Sequence, residues 1–300
     1  MFEKAAILGL GFMGASLAQA IKKNRLARLI AASSLNKDDL DWALAQGLVD
    51  AAENNENAVR GADLVVLAAP PRAFASIFAE IAPVLPPQAL ITDLASTKEG
   101  VLAQAKACLG THFPRFVAAH PLAGSERFGA RAAKADLFLG AKIFLCPDPS
   151  TEKEALEQAR SFWQALGAKC EIMEAARHDE VMGWVSHLPQ VLVFAYLASL
   201  AGEEKALRWA GKGFSDFTRL GASSPELWAD IALANRQNLE TSLGRLMGVL
   251  EKIKGCLDAG DTLELAQIFA LGRKARICFE ESQKPGSLAK DAAHYPNPPG

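Results

Sequence analysis

Ala5-Ala-Ile-Leu8 runs directly into Gly9-Leu-Gly11-Phe12-Met13-Gly14, and an amphipathic stretch of helical period follows to about Asn24. The order is an apolar strand, a glycine-spaced turn and a helix. Each glycine has a physical task in that setting: Gly9 permits the tight turn, Gly11 lets the backbone approach a pyrophosphate, and Gly14 lets helix and strand pack closely. The helix start offers unpaired N–H groups and a positive dipole end to the phosphates. The spacing in this context predicts a dinucleotide site with Gly9, Gly11, Phe12, Met13 and Gly14 as contacts. The alternative is a purely structural turn in an α/β protein that binds something else.

The pattern outward from this turn decides the fold class. Apolar runs at 29–33, 63–69, 89–94, 115–120 and 142–146 alternate with amphipathic stretches at 36–45, 73–85, 98–109 and 152–166, and 169–173 reads as one more strand. Asn36 followed by Asp39 resembles a capping box and starts the second helix. Asp63-Leu-Val-Val-Leu-Ala-Ala is apolar on both faces, as expected for a strand covered by helices on both sides. Strand and helix repeated in this way predict an α/β doubly wound parallel sheet. After His178 the texture changes to long helical stretches at 181–200, 204–212, 226–254 and 263–282, an all-α C-terminal domain. The predicted division is 1–170, 171–282 and a Pro-rich tail at 283–300.

Composition excludes several classes. Of 300 residues, 50% are hydrophobic and 22% charged, as in an ordinary globular chain. Lys and Arg total 32 against 34 acidic residues, a net charge of −2, which argues against a nucleic-acid binder. The longest strongly apolar stretch, 191–201, is shorter than the ~20 residues of a membrane span. Met1-Phe-Glu-Lys leads straight into the first strand without a secretory leader pattern. Cys108, Cys146, Cys170, Cys256 and Cys278 are scattered and odd in number, which argues against a disulfide framework and a zinc site. The expectation is a cytoplasmic protein with no metal, no membrane and no nucleic-acid partner.

The choice of cofactor turns on the end of the second strand. An NAD site usually carries an Asp or Glu there for the ribose 2′-OH. Here the stretch is Ala32-Ser33-Ser34-Leu35-Asn36-Lys37, and Asp38 belongs to the helix start. No carboxylate repels a 2′-phosphate, and Ser33, Ser34 and Lys37 offer it hydrogen bonds or charge. This favours NADP, with NAD as the alternative.

Several polar residues interrupt otherwise apolar segments. His120 ends a strand at the carboxyl edge that receives the dinucleotide, and Leu122-Ala-Gly124-Ser125-Glu126 follows as a polar turn. Asp93-Leu-Ala-Ser96-Thr-Lys98 ends the neighbouring strand; Ser96 reads equally as a ligand group or as the N-cap of the next helix. Ser186-His187-Leu-Pro189-Gln190 interrupts an apolar helix and reads as a kinked polar pocket or a helix start capped by Ser186. Gly213 to Gly221 looks like a loop ahead of Ser224-Pro225-Glu226, a good helix start. Arg219 in that loop either clamps a carboxylate or faces solvent.

Taken together, Gly9–Gly14, Asp93-Leu-Ala-Ser-Thr-Lys98, His120-Pro-Leu-Ala-Gly-Ser-Glu126, His178-Asp179, Ser186-His-Leu-Pro189 and Asp216-Phe-Thr-Arg219 with Ser224-Pro-Glu-Leu-Trp228 resemble the prephenate/arogenate dehydrogenase family of tyrosine biosynthesis. The resemblance runs from about residue 4 to 280. It implies a Rossmann domain, a helical domain that forms a homodimer, and oxidative decarboxylation of a cyclohexadienyl acid with hydride transfer to NAD(P). Carried over, His120 accepts the proton of the ring hydroxyl and Ser96 holds His120 and that hydroxyl in register. Arg219 binds a substrate carboxylate, and Ser125, Ser186 and His187 line the pocket. Many members have a second histidine where this chain has Gln190, one helical turn after His187, against the substrate side chain. A neutral Gln weakens recognition of a keto-acid tail and suits the amino-acid tail of arogenate. The resemblance leaves no room for a mutase or regulatory domain. Two rival readings are a β-hydroxyacid dehydrogenase of similar architecture, which usually carries a catalytic Lys in its helical domain, and a non-catalytic NADP-binding regulator. No Lys lies at 186–190, and the polar groups a regulator would have lost are all present.

Overall fold

A computed structural model describes residues 1–124, 129–203 and 205–282; Ser125 and the Pro-rich tail lie outside the described residues. The chain forms two compact units, 1–240 and 241–300. The first is built on an eight-stranded sheet: β1 (Phe2–Leu8), β2 (Ala27–Ser33), β3 (Ala51–Ala52), β4 (Leu64–Leu67), β5 (Leu90–Asp93), β6 (Phe116–Pro121), β7 (Lys142–Cys146) and β8 (Lys169–Ile172). Their order is β3-β2-β1-β4-β5-β6-β7-β8, so the chain reverses direction across the sheet beside β1 and β4. That is the doubly wound arrangement, and ligands in such sheets bind at the carboxyl ends of the strands near the reversal.

Helices α1 (Phe12–Lys23), α2 (Lys37–Ala45), α3 (Asn55–Val59), α4 (Phe74–Ile81), α5 (Glu99–Cys108) and α6 (Lys153–Ala165) cover the sheet. Successive side chains of a strand face opposite sides, and β4 shows the result. Leu64 and Val66 join Ile7, Leu17, Ile21 and Trp163 in one apolar layer. Val65 and Leu67 join Leu8, Phe74, Phe78 and Phe116 in the other. Both layers are sealed, which is why that strand reads as continuously apolar.

One strand departs from the all-parallel expectation. β7 pairs antiparallel with β6, placing Phe144 opposite His120, and β8 then runs parallel to β7. The connection from β6 to β7 therefore returns along the carboxyl edge instead of crossing a face. A short 3-10 turn within it, Ala130–Ala132, packs on α1 and α2, and the backbone N–H of Lys134 donates to Ser16 Oγ at 3.0 Å.

Helices α7 (Ala175–Met182) and α8 (Leu188–Ala198) are joined by a π-helical turn, Gly183–His187, into one continuous rod. Pro189 has no N–H for the Val185 carbonyl, and its ring crowds that carbonyl; the wider turn absorbs the defect. Ser186 lies inside this helix, so no helix starts there. By length and composition the 24-residue rod is long and apolar enough to cross a membrane, which the sequence reading did not register. Its buried His178, Asp179, His187 and Gln190 are hydrogen-bonded within the first unit, and a third of its apolar window is buried.

Two further corrections fall in the helical half. The segment read as a loop folds as α9 (Lys212–Thr218) and a 3-10 turn, Arg219–Ala222. Phe214 and Phe217 pack on Tyr196 of α8 at 6.1 and 5.4 Å between ring centroids, and this packing overrides the poor propensity of Gly213. The long helix expected over 226–254 is broken at Asn235 into α10 (Pro225–Ala234) and α11 (Arg236–Ala259). α12 (Thr262–Ser282) closes the described chain.

Candidate active site

The glycine turn meets its three requirements. Gly9 has φ +104°, and a Cβ there would lie 2.7 Å from the Ala68 carbonyl carbon. A Cβ on Gly14 would lie 2.0 Å from the Gly9 carbonyl oxygen, so helix and turn touch. A Cβ on Gly11 would meet no protein atom within 4 Å, so packing does not demand glycine there and the backbone is open to close approach. Ala15 N–H is the first to donate within α1, to Gly11 O at 2.9 Å; the preceding amides of Phe12, Met13 and Gly14 have no helical acceptor. The first turn carries no acidic side chain. This cradle suits a pyrophosphate.

Ser33 and Ser34 sit differently. The Ser33 hydroxyl is buried and committed to Asn55 Oδ1, and Asn55 in turn donates to Glu80 at 2.8 Å. Ser34 is half-buried and accepts from the Asn36 N–H at 3.2 Å, while Asn36 caps α2 through the amides of Asp38 and Asp39. Ser34, not Ser33, therefore has a hydroxyl proton to offer a phosphate, beside the exposed Lys37.

At the end of β6, His120 is 7% exposed and its ring is held from behind. Its Nδ1 lies 2.8 Å from Nε2 of His178, and Nδ1 of His178 lies 2.7 Å from Asp179 Oδ1. The carboxylate also accepts the backbone N–H groups of Lys98 (2.8 Å) and Glu99 (2.9 Å), capping α5 from a distant helix. The proton positions follow from acceptor chemistry. A carboxylate only accepts, so His178 carries a proton on Nδ1 and, as a neutral ring, offers a lone pair at Nε2. His120 must then donate from Nδ1, which leaves its own Nε2 a lone pair. That nitrogen has no partner among the described residues. Burial first, and then repulsion from the Lys98 ammonium and from the His178 and His187 rings whenever these are protonated, hold the His120 imidazolium well below the ordinary 6.5.

The β5 end fixes the adjoining backbone. Lys98 is fully buried, its ammonium bonded to Asp93 Oδ1 and to the Ala119 carbonyl at 2.7 Å. Asp93 also accepts the amides of Ala95 (2.8 Å) and Ala119 (3.0 Å), so the residue before His120 is gripped at both polar groups. Burial pushes the Asp93 carboxyl up, while Lys98 and these amides pull it down. Ser96 is half-buried beside this pair and bonds to neither His120 nor the helix. The α5 cap is Asp179, so the N-cap alternative for Ser96 falls. His178 has taken the task of holding His120 that the sequence reading gave to Ser96.

On the helical side, His187 is fully buried in the π turn, with Trp228 packed edge-on at 6.1 Å. Gln190, 2% exposed, donates from Nε2 to the Leu220 carbonyl at 2.8 Å. It thereby anchors the exposed turn that begins with Arg219. Ser186 is half-buried on the same π turn. The structure thus brings His120, His178, Lys98 and Asp93 together, and ties His187 to Asp179 through Asn235.

Comparison with known proteins decides the family. The family profile "prephenate dehydrogenase, nucleotide-binding domain" matches residues 17–172, and the "prephenate dehydrogenase, dimerization domain" profile matches 174–271. The chain belongs to the prephenate dehydrogenase family. It is 33% identical to the cyclohexadienyl dehydrogenase of Zymomonas mobilis over 93% of this chain and 97% of that one. A prephenate dehydrogenase of A. aeolicus, solved with hydroxyphenyl propionate and NAD+, superposes with a TM-score of 0.85 at 29% identity, covering 93% of this chain and 99% of that one. The arogenate dehydrogenase of Synechocystis superposes at 0.76 with 28% identity, covering 92% and 99%.

As a member of the prephenate dehydrogenase family the chain is an NAD(P)-dependent oxidoreductase that oxidatively decarboxylates a cyclohexadienyl acid. Sequence reasoning singled out the His178-Asp179 pair without a role and gave none to Lys98, Asp93 or Asn235. An adjacent His-Asp at a helix start is a signal in retrospect, but its target is 58 residues away. For Asn235 the sequence carries no signal.

Proposed function

We propose that this enzyme takes arogenate in preference to prephenate, uses NADP more readily than NAD, and abstracts the ring-hydroxyl proton with His120. The observation that carries the mechanism is the His120 ring, locked with its lone pair at Nε2 by the His178–Asp179 chain. Bound NAD(P) supplies the hydride acceptor. His120 takes the proton of the ring hydroxyl as the carbon bearing it gives up hydride. The bond to the ring carboxylate then breaks, carbon dioxide leaves, and its electron pair completes the aromatic ring. The phenolate oxygen recovers the proton from His120, so the base is regenerated. Ser96 supports the substrate hydroxyl, Arg219 binds a carboxylate, and Ser125 and Ser186 line the pocket. Residues 1–170 carry the cofactor and 171–282 the substrate and dimer contacts.

The substrate preference rests on the orientation of Gln190. A carbonyl can only accept, so Nε2 faces Leu220 and commits one of its two N–H groups there, while Oε1 keeps its full accepting capacity for a ligand. An ammonium group needs an acceptor; a keto oxygen needs a donor. The cofactor preference rests on Ser34 and Lys37 at a β2 end without a carboxylate. A homodimer accounts for the exposed Leu250, Leu257, Leu263, Phe269, Leu271 and Phe279 of the second unit, each 50% exposed or more. Sedimentation at twice the 32.0 kDa chain mass would register it. Five free cysteines fit a reducing cytoplasm.

The pH profile tests the base. A depressed imidazolium pKa keeps the neutral, working form of His120 as pH falls past 6.5. The acid limb of kcat/KM is therefore expected below pH 6.5. A limb at or above that value would mean that the essential base is solvated and is not this ring.

A further inference from the structure

His187 is buried with only one of its two nitrogens satisfied. Its Nδ1 lies 2.9 Å from Nδ2 of Asn235, and the same Nδ2 donates to the backbone carbonyl of Asp179 at 2.7 Å. Oδ1 of Asn235 accepts from Nδ2 of Asn238 at 2.9 Å. The amide cannot be turned over, because that would set Oδ1 against the Asp179 carbonyl and Nδ2 against another donor. Asn235 therefore presents a donor to His187, and His187 must answer with a lone pair at Nδ1. In the neutral ring the proton is then on Nε2. That atom is buried and has no hydrogen-bond partner among the described residues. Burial brings the His187 imidazolium down to about 4, so the ring is neutral near pH 7. A buried N–H without a protein partner calls for an acceptor from a ligand or an ordered water.

We infer that Asn235 is a positioning residue that locks His187 as its Nε2–H tautomer, so that His187 donates to an acceptor oxygen of the bound substrate. The inference rests on the reading of His120 and His187 as substrate-site residues. It makes the two buried rings opposites. His120 presents a lone pair and favours a hydroxyl; His187 presents an N–H and favours a carboxylate or carbonyl oxygen. A substrate bearing both groups is sorted end from end by the pair, and the wrong orientation sets oxygen lone pairs against the His120 lone pair. The lock hangs from the Asp179 peptide, whose side chain sets the His120 tautomer through His178. One residue thus fixes both rings, by its carboxylate and by its carbonyl.

Long-range proton–nitrogen spectra of the full chain labelled with 15N-histidine read the tautomers directly, with five histidines to assign and His187→Gln identifying one set. At pH 7 the His187 ring is expected to show a proton-free Nδ1 and a protonated Nε2, and His120 the reverse. A protonated Nδ1 or a doubly protonated His187 would overturn the lock. Asn235→Asp places an acceptor where the donor was, and is expected to move the proton to Nδ1. KM for the cyclohexadienyl substrate should then rise at least about tenfold, the scale of one lost hydrogen bond in a buried site, with KM for NAD(P) unchanged. If that variant does not fold, Asn235→Ala, which only removes the donor, is expected to show mixed tautomers and a smaller rise in substrate KM. A folded variant with the proton moved and KM unchanged would contradict the donor role while the dehydrogenase reading stands. A wild-type chain inactive on cyclohexadienyl acids would contradict that reading while the spectra still report the tautomer.

Discussion

Replacing His120 with alanine is expected to lower kcat by about 10²–10⁴-fold, the usual contribution of a positioned general base, with NAD(P) affinity unchanged. The glycine turn proposed to hold the cofactor lies at the end of β1, and His120 contributes no atom to it. His120→Asn is the sharper variant. Its amide nitrogen can still donate to Nε2 of His178, so the buried chain stays satisfied while the lone pair facing the substrate loses its basicity. Both variants should fail in kcat, and the Asn form should keep more of the wild-type stability. Steady-state kinetics beside cofactor titration reads this. Full turnover by a folded His120→Asn would remove His120 from the chemistry.

The second large effect is on stability. Lys98→Met is expected to cost about 3–5 kcal/mol, the range for removing one partner of a buried ion pair. Both side chains of the Asp93–Lys98 pair are fully buried, so nothing but protein stabilises the carboxylate left behind. Asp93 would keep the amides of Ala95 and Ala119 but lose its counter-charge, and burial already pushes its carboxyl up. The double variant Asp93→Asn with Lys98→Met should recover part of the loss, because no uncompensated charge remains. Denaturant midpoints of the single and double variants check this. A single variant within about 1 kcal/mol of wild type, the range of exposed pairs, would show that the pair is hydrated in solution.

What the sequence revealed about the fold follows from which forces are local. The glycine turn, the doubly apolar β4 and the Ser224-Pro225 helix start are local patterns, and all appear where the sequence places them. Antiparallel β7 is not local: its apolar run looks the same in either direction, and only the return of the chain along the sheet edge sets it. The break at Asn235 and the helix over 212–218 depend on partners in other elements, Asp179 and His187 for the first and Tyr196 for the second. The site divides in the same way. His120 and His187 were visible as polar residues in apolar surroundings. Their tautomers were not, because these are set by His178, Asp179 and Asn235 from segments remote in the chain. Ser96 shows the converse: a good capping residue beside a helix start, displaced from that task by Asp179, which reaches Glu99 from 80 residues further on.

The most direct measurement is the initial rate of reduced-nicotinamide formation by the purified chain, with arogenate and prephenate each tested against NADP and NAD. Turnover is expected with both acids, with kcat/KM highest for arogenate with NADP, and with all four rates lost in His120→Asn. Prephenate preferred over arogenate would contradict the role given to Gln190 Oε1, and absence of turnover in all four combinations would contradict the assignment of the site itself.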